Sequence, residues 1–220
     1  MSPLYLYAVI EEEPAVPLGA GLAGEPLRLV RCGELLVVAG EMETAPRIAP
    51  EALAAQDAVI RRLSGMATAI LPVRFGEKAR DEEELCKLLK PRSSDLIAAL
   101  ERVRGCEQMT LRVFGNPDPL PPAPPEPSGP GTRYMEARRR EIERARSLPE
   151  IEPLLDRLRP LVRAERIERK EQGTLLGTVY HLVRREDAQA YRETFREEDA
   201  VAVSGPWPPY AFAPGLGDPT

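Results

Sequence analysis

Three short runs near the N-terminus, Tyr5 to Ile10, Leu27 to Arg31 and Leu35 to Ala39, have the composition of strands. The third is apolar throughout, as a buried central strand is, and RCGEL between the last two predicts a hairpin. From about Pro50 the period changes. Leu53, Val59, Ile60, Leu63 and Met66 fall on one face of a helix ending near Met66, with Pro50 suited to its first turn. ATAILPVRFG returns to a strand. The acidic DEEELCKLLK opens a second helical stretch in the sense the helix dipole favours. Pro91 interrupts it, and it restarts behind Ser93, Ser94 or Asp95, any of which can cap LIAALERV. Met109, Leu111 and Val113 then alternate with Gln108, Thr110 and Arg112, as in a sheet with one solvated face. The order βββαβαβ predicts an α+β domain over residues 1–114 with helices laid on one face of the sheet.

The pattern then stops. GNPDPLPPAPPEPSGPG, residues 115–131, holds eight of the 24 prolines and cannot form a helix or a sheet interior. It reads as a linker that, extended at about 3.1 Å per residue, either spaces two domains or lies along one. Beyond it, RYMEARRREIERARSL predicts a charged helix, and EIEPLLDRLRPLV an amphipathic one whose stripe is Ile151, Leu154, Leu155, Leu158, Leu161 and Val162, ended or kinked by Pro160. RAERIERKEQGTLLGTVYHLV predicts an antiparallel pair turning near Gln172-Gly173, followed by a helix with Ala188, Tyr191 and Phe195 inward and a last strand from Ala200 to Ser204. This is a second α+β domain, residues 132–212, with a tail at 213–220.

Composition narrows the classes of function. With 43% hydrophobic residues in 220 the chain can build a core, and 35 acidic against 30 basic side chains give a net charge of -5. That charge offers no general attraction to nucleic acid or to an anionic membrane, so neither is expected as a partner. The first residues lack a basic region before their apolar run and do not form a signal peptide, and no run is as long as a membrane span. Cys32, Cys86 and Cys106 are odd in number and far apart. A cytoplasmic protein with reduced thiols is the expectation.

Candidate chemistry is sparse. His181 is the only histidine and sits inside a strand, with no serine or cysteine elbow, so a packed histidine is the expectation and a base in a small-molecule pocket the rival. Gly19, Gly21 and Gly24 have the bare GxGxxG spacing, but Glu25-Pro26 leads into a strand where a dinucleotide site needs a helix, which leaves a flexible loop. Arg138, Arg139 and Arg140 are surrounded by Glu136, Glu141 and Glu143, as on a solvated helix. No metal or cofactor motif is present, and no catalytic residue is assigned. In LPVRFG, residues 71–76, Arg74 points opposite to Val73 and Phe75 in a strand that a proline marks as an edge, a start or a bulge. In GPWPPYAF, residues 205–212, three prolines stiffen a segment that carries Trp207, Tyr210 and Phe212. It can fold onto its own domain or dock on another protein.

GPWPPYAF closing the last strand is similar to the C-terminal signature of the gas vesicle protein F/L family. The LYLYAVI strand, the ILPVRFG block after the first long helix and the GTRYMEARRRE helix after the linker agree in order, so the resemblance spans Leu4 to Phe212. Relatives often have a histidine where this chain has Gln56-Asp57, commonly a serine where it has Ala211, and a shorter linker. The resemblance implies two α+β domains of ferredoxin-like character and a non-enzymatic accessory role in gas vesicle assembly, with no cofactor. It implies binding to the small hydrophobic shell protein, as subunits or nuclei, and to other accessory proteins. The alternatives are a minor structural component of the vesicle or its nucleus and, behind that, a small-molecule enzyme. Arg74, Phe75, Trp207, Tyr210 and Phe212 are the candidate contact or scaffold residues.

Overall fold

The computed structural model describes residues 3–44, 46–115, 148, 151–195 and 200–216. The proline-rich linker, apart from Gly115, and the charged helix expected after it, apart from Leu148, lie outside the described residues. The chain forms two compact units, Met1–Glu107 with Trp207–Thr220, and Gln108–Pro206. Trp207 to Phe212, which sequence placed in the second domain, therefore pack in the first. The strand expected to close the first domain, Gln108 to Phe114, lies wholly in the second.

In the first unit, β1 (Leu4–Ile10), β2 (Leu27–Cys32), β3 (Leu35–Glu41), β4 (Ile70–Pro72) and β5 (Lys78–Ala79) make one sheet in the order β2-β3-β1-β4, with β5 also on β1. All pairings of β1 are antiparallel, and β2 and β3 form the expected hairpin. The helices are α1 (Pro50–Met66), α2 (Glu82–Leu89) and α3 (Ser93–Val103), the last two joined by a 3-10 turn at Lys90–Arg92. Asp81 caps α2 by accepting from the Glu84 N–H at 2.8 Å, whereas α3 has no side-chain cap because the 3-10 turn runs straight into it.

Every residue of β1 is buried. Side chains alternate along a strand, so both faces of the sheet are covered, which corrects the expectation of helices on one face. On one face Tyr5, Tyr7, Ala8 and Ile10 pack with Val59, Ile60 and Leu63 of α1, a bulge near Tyr7 restoring the alternation. Leu85 and Leu89 of α2 and Leu96, Leu100 and Val103 of α3 are buried as well. A disulfide joins Cys32, at the end of β2, to Cys86 in α2, and Cys106 is free and buried. The expectation of three reduced thiols is corrected: three cysteines spaced this way allow any pairing, and only the fold brings these two to a Cα separation of 5.0 Å.

The second unit holds the sheet β7-β8-β6-β9, formed by β6 (Cys106–Phe114), β7 (Val162–Gln172), β8 (Leu175–Arg184) and β9 (Val201–Trp207). The β7–β8 hairpin is antiparallel and turns at Gly173, whose φ of +61° is a glycine conformation. α4 (Glu152–Leu158) stops before Pro160, and α5 (Ala188–Glu193) follows a 3-10 turn at Arg185–Asp187. Met109, Leu111 and Val113 meet Ile151, Leu154, Leu158, Tyr191 and Phe195 in a single core: each stripe faces inward as expected, but the two share one unit where sequence assigned them to separate domains.

Candidate functional site

The two unusual sequence blocks converge on α1. Leu71 and Pro72 end β4 on the central strand, and the chain then turns at Val73 to Gly76. Beneath that turn lies a polar node. The Tyr5 hydroxyl donates to Gln56 Oε1 at 2.5 Å and accepts from the Gly76 N–H at 2.9 Å, while Gln56 Nε2 donates to the Val73 carbonyl at 3.1 Å. Both ends of the buried Gln56 amide are thus committed, which fixes the turn against the helix. Phe75 meets the Tyr5 ring edge-on at 6.2 Å.

The C-terminal block crosses the same helix. Arg61 stacks 4.0 Å over the Trp207 ring and donates to Asp57 Oδ2 at 2.6 Å. Asp57 Oδ1 accepts from the Tyr210 hydroxyl at 2.6 Å. One carboxylate therefore holds both aromatic anchors, one directly and one through a guanidinium. Burial, and then the bond to Asp57, push the Tyr210 phenol well above its usual value, so it stays a donor. Further along, the Arg92 guanidinium donates to the Gly215 carbonyl. Phe212 is half-buried with its N–H on the Pro209 carbonyl at 3.1 Å.

Between the blocks is a groove of about 240 Å³, lined by Leu53, Gln56, Asp57 and Ile60 from α1, Val73 to Phe75, and Tyr210. Leu53 was expected on the core stripe. It is instead 44% exposed, beside a 37% exposed Tyr210, because the helix seats Gln56 inward in the Tyr5 node. Arg74, exposed, and Phe75, half-buried, line the groove as well. Of the five sequence candidates, Arg74, Phe75 and Tyr210 line it, whereas Trp207 is placed by Arg61 and Phe212 by the backbone turn. Sequence noted Gln56-Asp57 only as a departure from the family pattern and assigned neither a contact, and it missed Arg61, which carried no signal beyond lying on an amphipathic helix.

His181 has the partners that its strand position concealed. It is fully buried in β8, with Nε2 at 2.8 Å from Glu165 Oε2 and Nδ1 at 2.6 Å from the Tyr191 hydroxyl. Burial keeps the Tyr191 phenol protonated, so it donates to Nδ1, and Nε2–H donates to Glu165. Each of Glu165 and His181 lies eight residues from Gly173, so the hairpin turn was the signal that could have paired them. The phenol at the inner end has no exposure to a substrate. Among the described residues no cluster of three or more metal-ligating side chains occurs, and no helix is long and apolar enough to cross a membrane. The GxGxxG loop opens no helix, and it is pinned where sequence suggested flexibility. Arg62 donates to the Leu18 and Ala20 carbonyls, and Tyr7 donates to Glu25.

Comparison with known proteins gives a consistent picture. The chain is 30% identical to gas vesicle protein L of Streptomyces sp. (strain CB03234), covering 95% of this chain and 92% of that one. Its fold is similar to the crystal structure of gas vesicle protein GvpF from Anabaena sp. PCC7120, with a TM-score of 0.73, 15% identity and 97% of each chain covered. It is also similar to that of GvpF from Microcystis aeruginosa, with a TM-score of 0.69, 15% identity, and 97% and 100% coverage. The family described as gas vesicle synthesis protein GvpL/GvpF matches residues 3–214, and the chain belongs to that family.

Proposed function

We propose that this protein is a non-enzymatic, cytoplasmic assembly accessory of the gas vesicle, which binds shell-protein subunits or early nuclei through the α1 face of its first unit. The observation that carries the reading is the convergence of LPVRFG and GPWPPYAF around one groove with Leu53 and Tyr210 exposed at its rim. An apolar rim on a braced, charged surface suits a partner that must hide its own apolar face before it joins a wall. Exposed strand edges and apolar faces on a free shell subunit lead to aggregation, and a bound accessory prevents that encounter. Other accessory proteins are further partners of the same pathway, and neither nucleic acid nor a membrane is among them.

The test uses a substitution that leaves the core alone. Leu53→Glu changes the rim of the groove, and Leu88→Glu changes a 52% exposed leucine on α2 that does not line it. Capture of purified shell protein should fall at least tenfold for the first and stay near wild type for the second. Deletion in a vesicle-forming host should abolish vesicles, with rescue by wild type and by Leu88→Glu only. Equal capture by both variants would overturn the site, and normal vesicles in the deletion strain would overturn the role. Recovery at a fixed ratio to shell protein in washed vesicles would favour the structural-component reading.

A further inference from the structure

In the second unit, α4 and the start of β7 flank an open cavity of about 680 Å³, within the range of small-ligand sites. Glu152, Leu155, Asp156 and Arg159 stand on its helical wall at the spacing of a single α4 face. Val162, Glu165 and Ile167 form the strand wall, with His181 beside Glu165. The walls are therefore apolar in their middle and charged at defined points.

The charge at the His181 end is set by hydrogen-bond chemistry. His181 Nδ1 accepts a hydrogen bond from the Tyr191 hydroxyl and Nε2–H donates one to Glu165, which leaves the carboxylate as the acceptor facing the cavity. The imidazole bond, as the largest effect, holds the Glu165 carboxyl below the usual carboxylate range. One bond uses only part of the acceptor capacity of a carboxylate, and the Glu165 side chain, which lines the cavity, is 39% exposed. Arg159 also acts on it, but its guanidinium pairs with Asp156 at 3.1 Å and is 81% exposed, which lets water screen it. Arg163 is exposed where the β7 register shifts. The lining thus holds three carboxylates against two guanidiniums.

We propose that this cavity binds an organic cation with an aliphatic stem, its ammonium or guanidinium head on Glu165 and its stem between Leu155, Val162 and Ile167. Such a head comes either from a free polyamine or from a lysine or arginine of another protein, and the chemistry at Glu165 is the same for both.

Because His181 is the sole histidine, its imidazole resonances report on this cavity without interference. Titration of the full chain with n-butylguanidinium or n-butylammonium should shift them saturably, methylammonium should bind at least several-fold more weakly, and butyrate should leave them unmoved. Glu165→Gln should weaken the cation at least tenfold. Glu152→Gln, at an exposed wall position that carries no fold, should weaken it two- to fivefold and decides the matter if the first variant misfolds. Spermidine and a leucine-flanked lysine peptide then separate the sources by which saturates first. No imidazole shift with the cations, an equal shift with butyrate, or wild-type affinity in both variants would each overturn the proposal.

Discussion

Reduction of the Cys32–Cys86 bond perturbs the first unit at one point with a size that the chain itself sets. The bond spans 54 residues of sequence and encloses β3, α1, β4 and β5. Opening a loop of that length returns about 14 cal/mol/K to the unfolded chain, or about 4 kcal/mol at 25 °C. Non-covalent ties between β2 and α2 remain. Leu85 and Leu89 stay buried, and the partly exposed Arg28–Glu82 pair at 2.5 Å adds under about 1 kcal/mol. The reduced unit should therefore still fold, with a lower margin. Urea unfolding followed by Trp207 fluorescence reports on this unit, and with a slope of about 2 kcal/mol per molar the midpoint should fall by roughly 2 M on reduction. Cys86→Ser should reproduce the shift and Cys106→Ser should not. Protein purified without reductant and then denatured should titrate one thiol, that of Cys106. Three titrating thiols, or a midpoint indifferent to reductant, would refute the reasoning.

Three further outcomes follow from other contacts. A Cβ on Gly21 would lie 1.8 Å from Glu25 Oε1, and one on Gly40 would lie 2.6 Å from Glu25 Cγ, so Gly21→Ala and Gly40→Ala both evict Glu25 from Tyr7. Each should cost about 1–3 kcal/mol and the pair together little more than one alone, with additive losses in a thermal melt counting against a shared cause. Asp57→Ala removes the acceptor for Tyr210 and for Arg61 at once. The emission of the sole tryptophan should move to the red with a loss of about 2 kcal/mol, and unchanged emission would show that Trp207 is held by something else. Tyr5, Tyr7, Tyr180, Tyr191 and Tyr210 are all held above the ordinary phenol value of 10.0, chiefly by burial. The unfolded chain ionises these five first, so stability should fall as pH climbs past about 10, and the greater part of the absorbance rise at about 295 nm should accompany unfolding.

Local pattern revealed most elements of the fold. α1 runs from Pro50 to Met66 as its period required, and the hairpin, the break at Pro91 and the inward Tyr191 follow from equally local rules. What was not legible is long-range. Trp207 ends β9 and Tyr210 follows it, and nothing in eight residues tells that their partners are Arg61 and Asp57, about 150 positions earlier. The same gap explains the candidate site. A helical wheel assigns Leu53 to the core because it counts only hydrophobicity, whereas the buried position goes to Gln56, which satisfies Tyr5 and Val73 together.

The return of the last residues to the first unit has a consequence for biosynthesis. A ribosome releases Met1–Glu107 long before Trp207, and at about 5–20 residues per second the intervening hundred residues take roughly 5–20 s. Through that interval α1 has neither the Tyr210 bond nor the Trp207 stack, and its groove lacks one wall. A nascent chain thus carries an unfinished version of the surface, and only a fully translated protein presents the complete one.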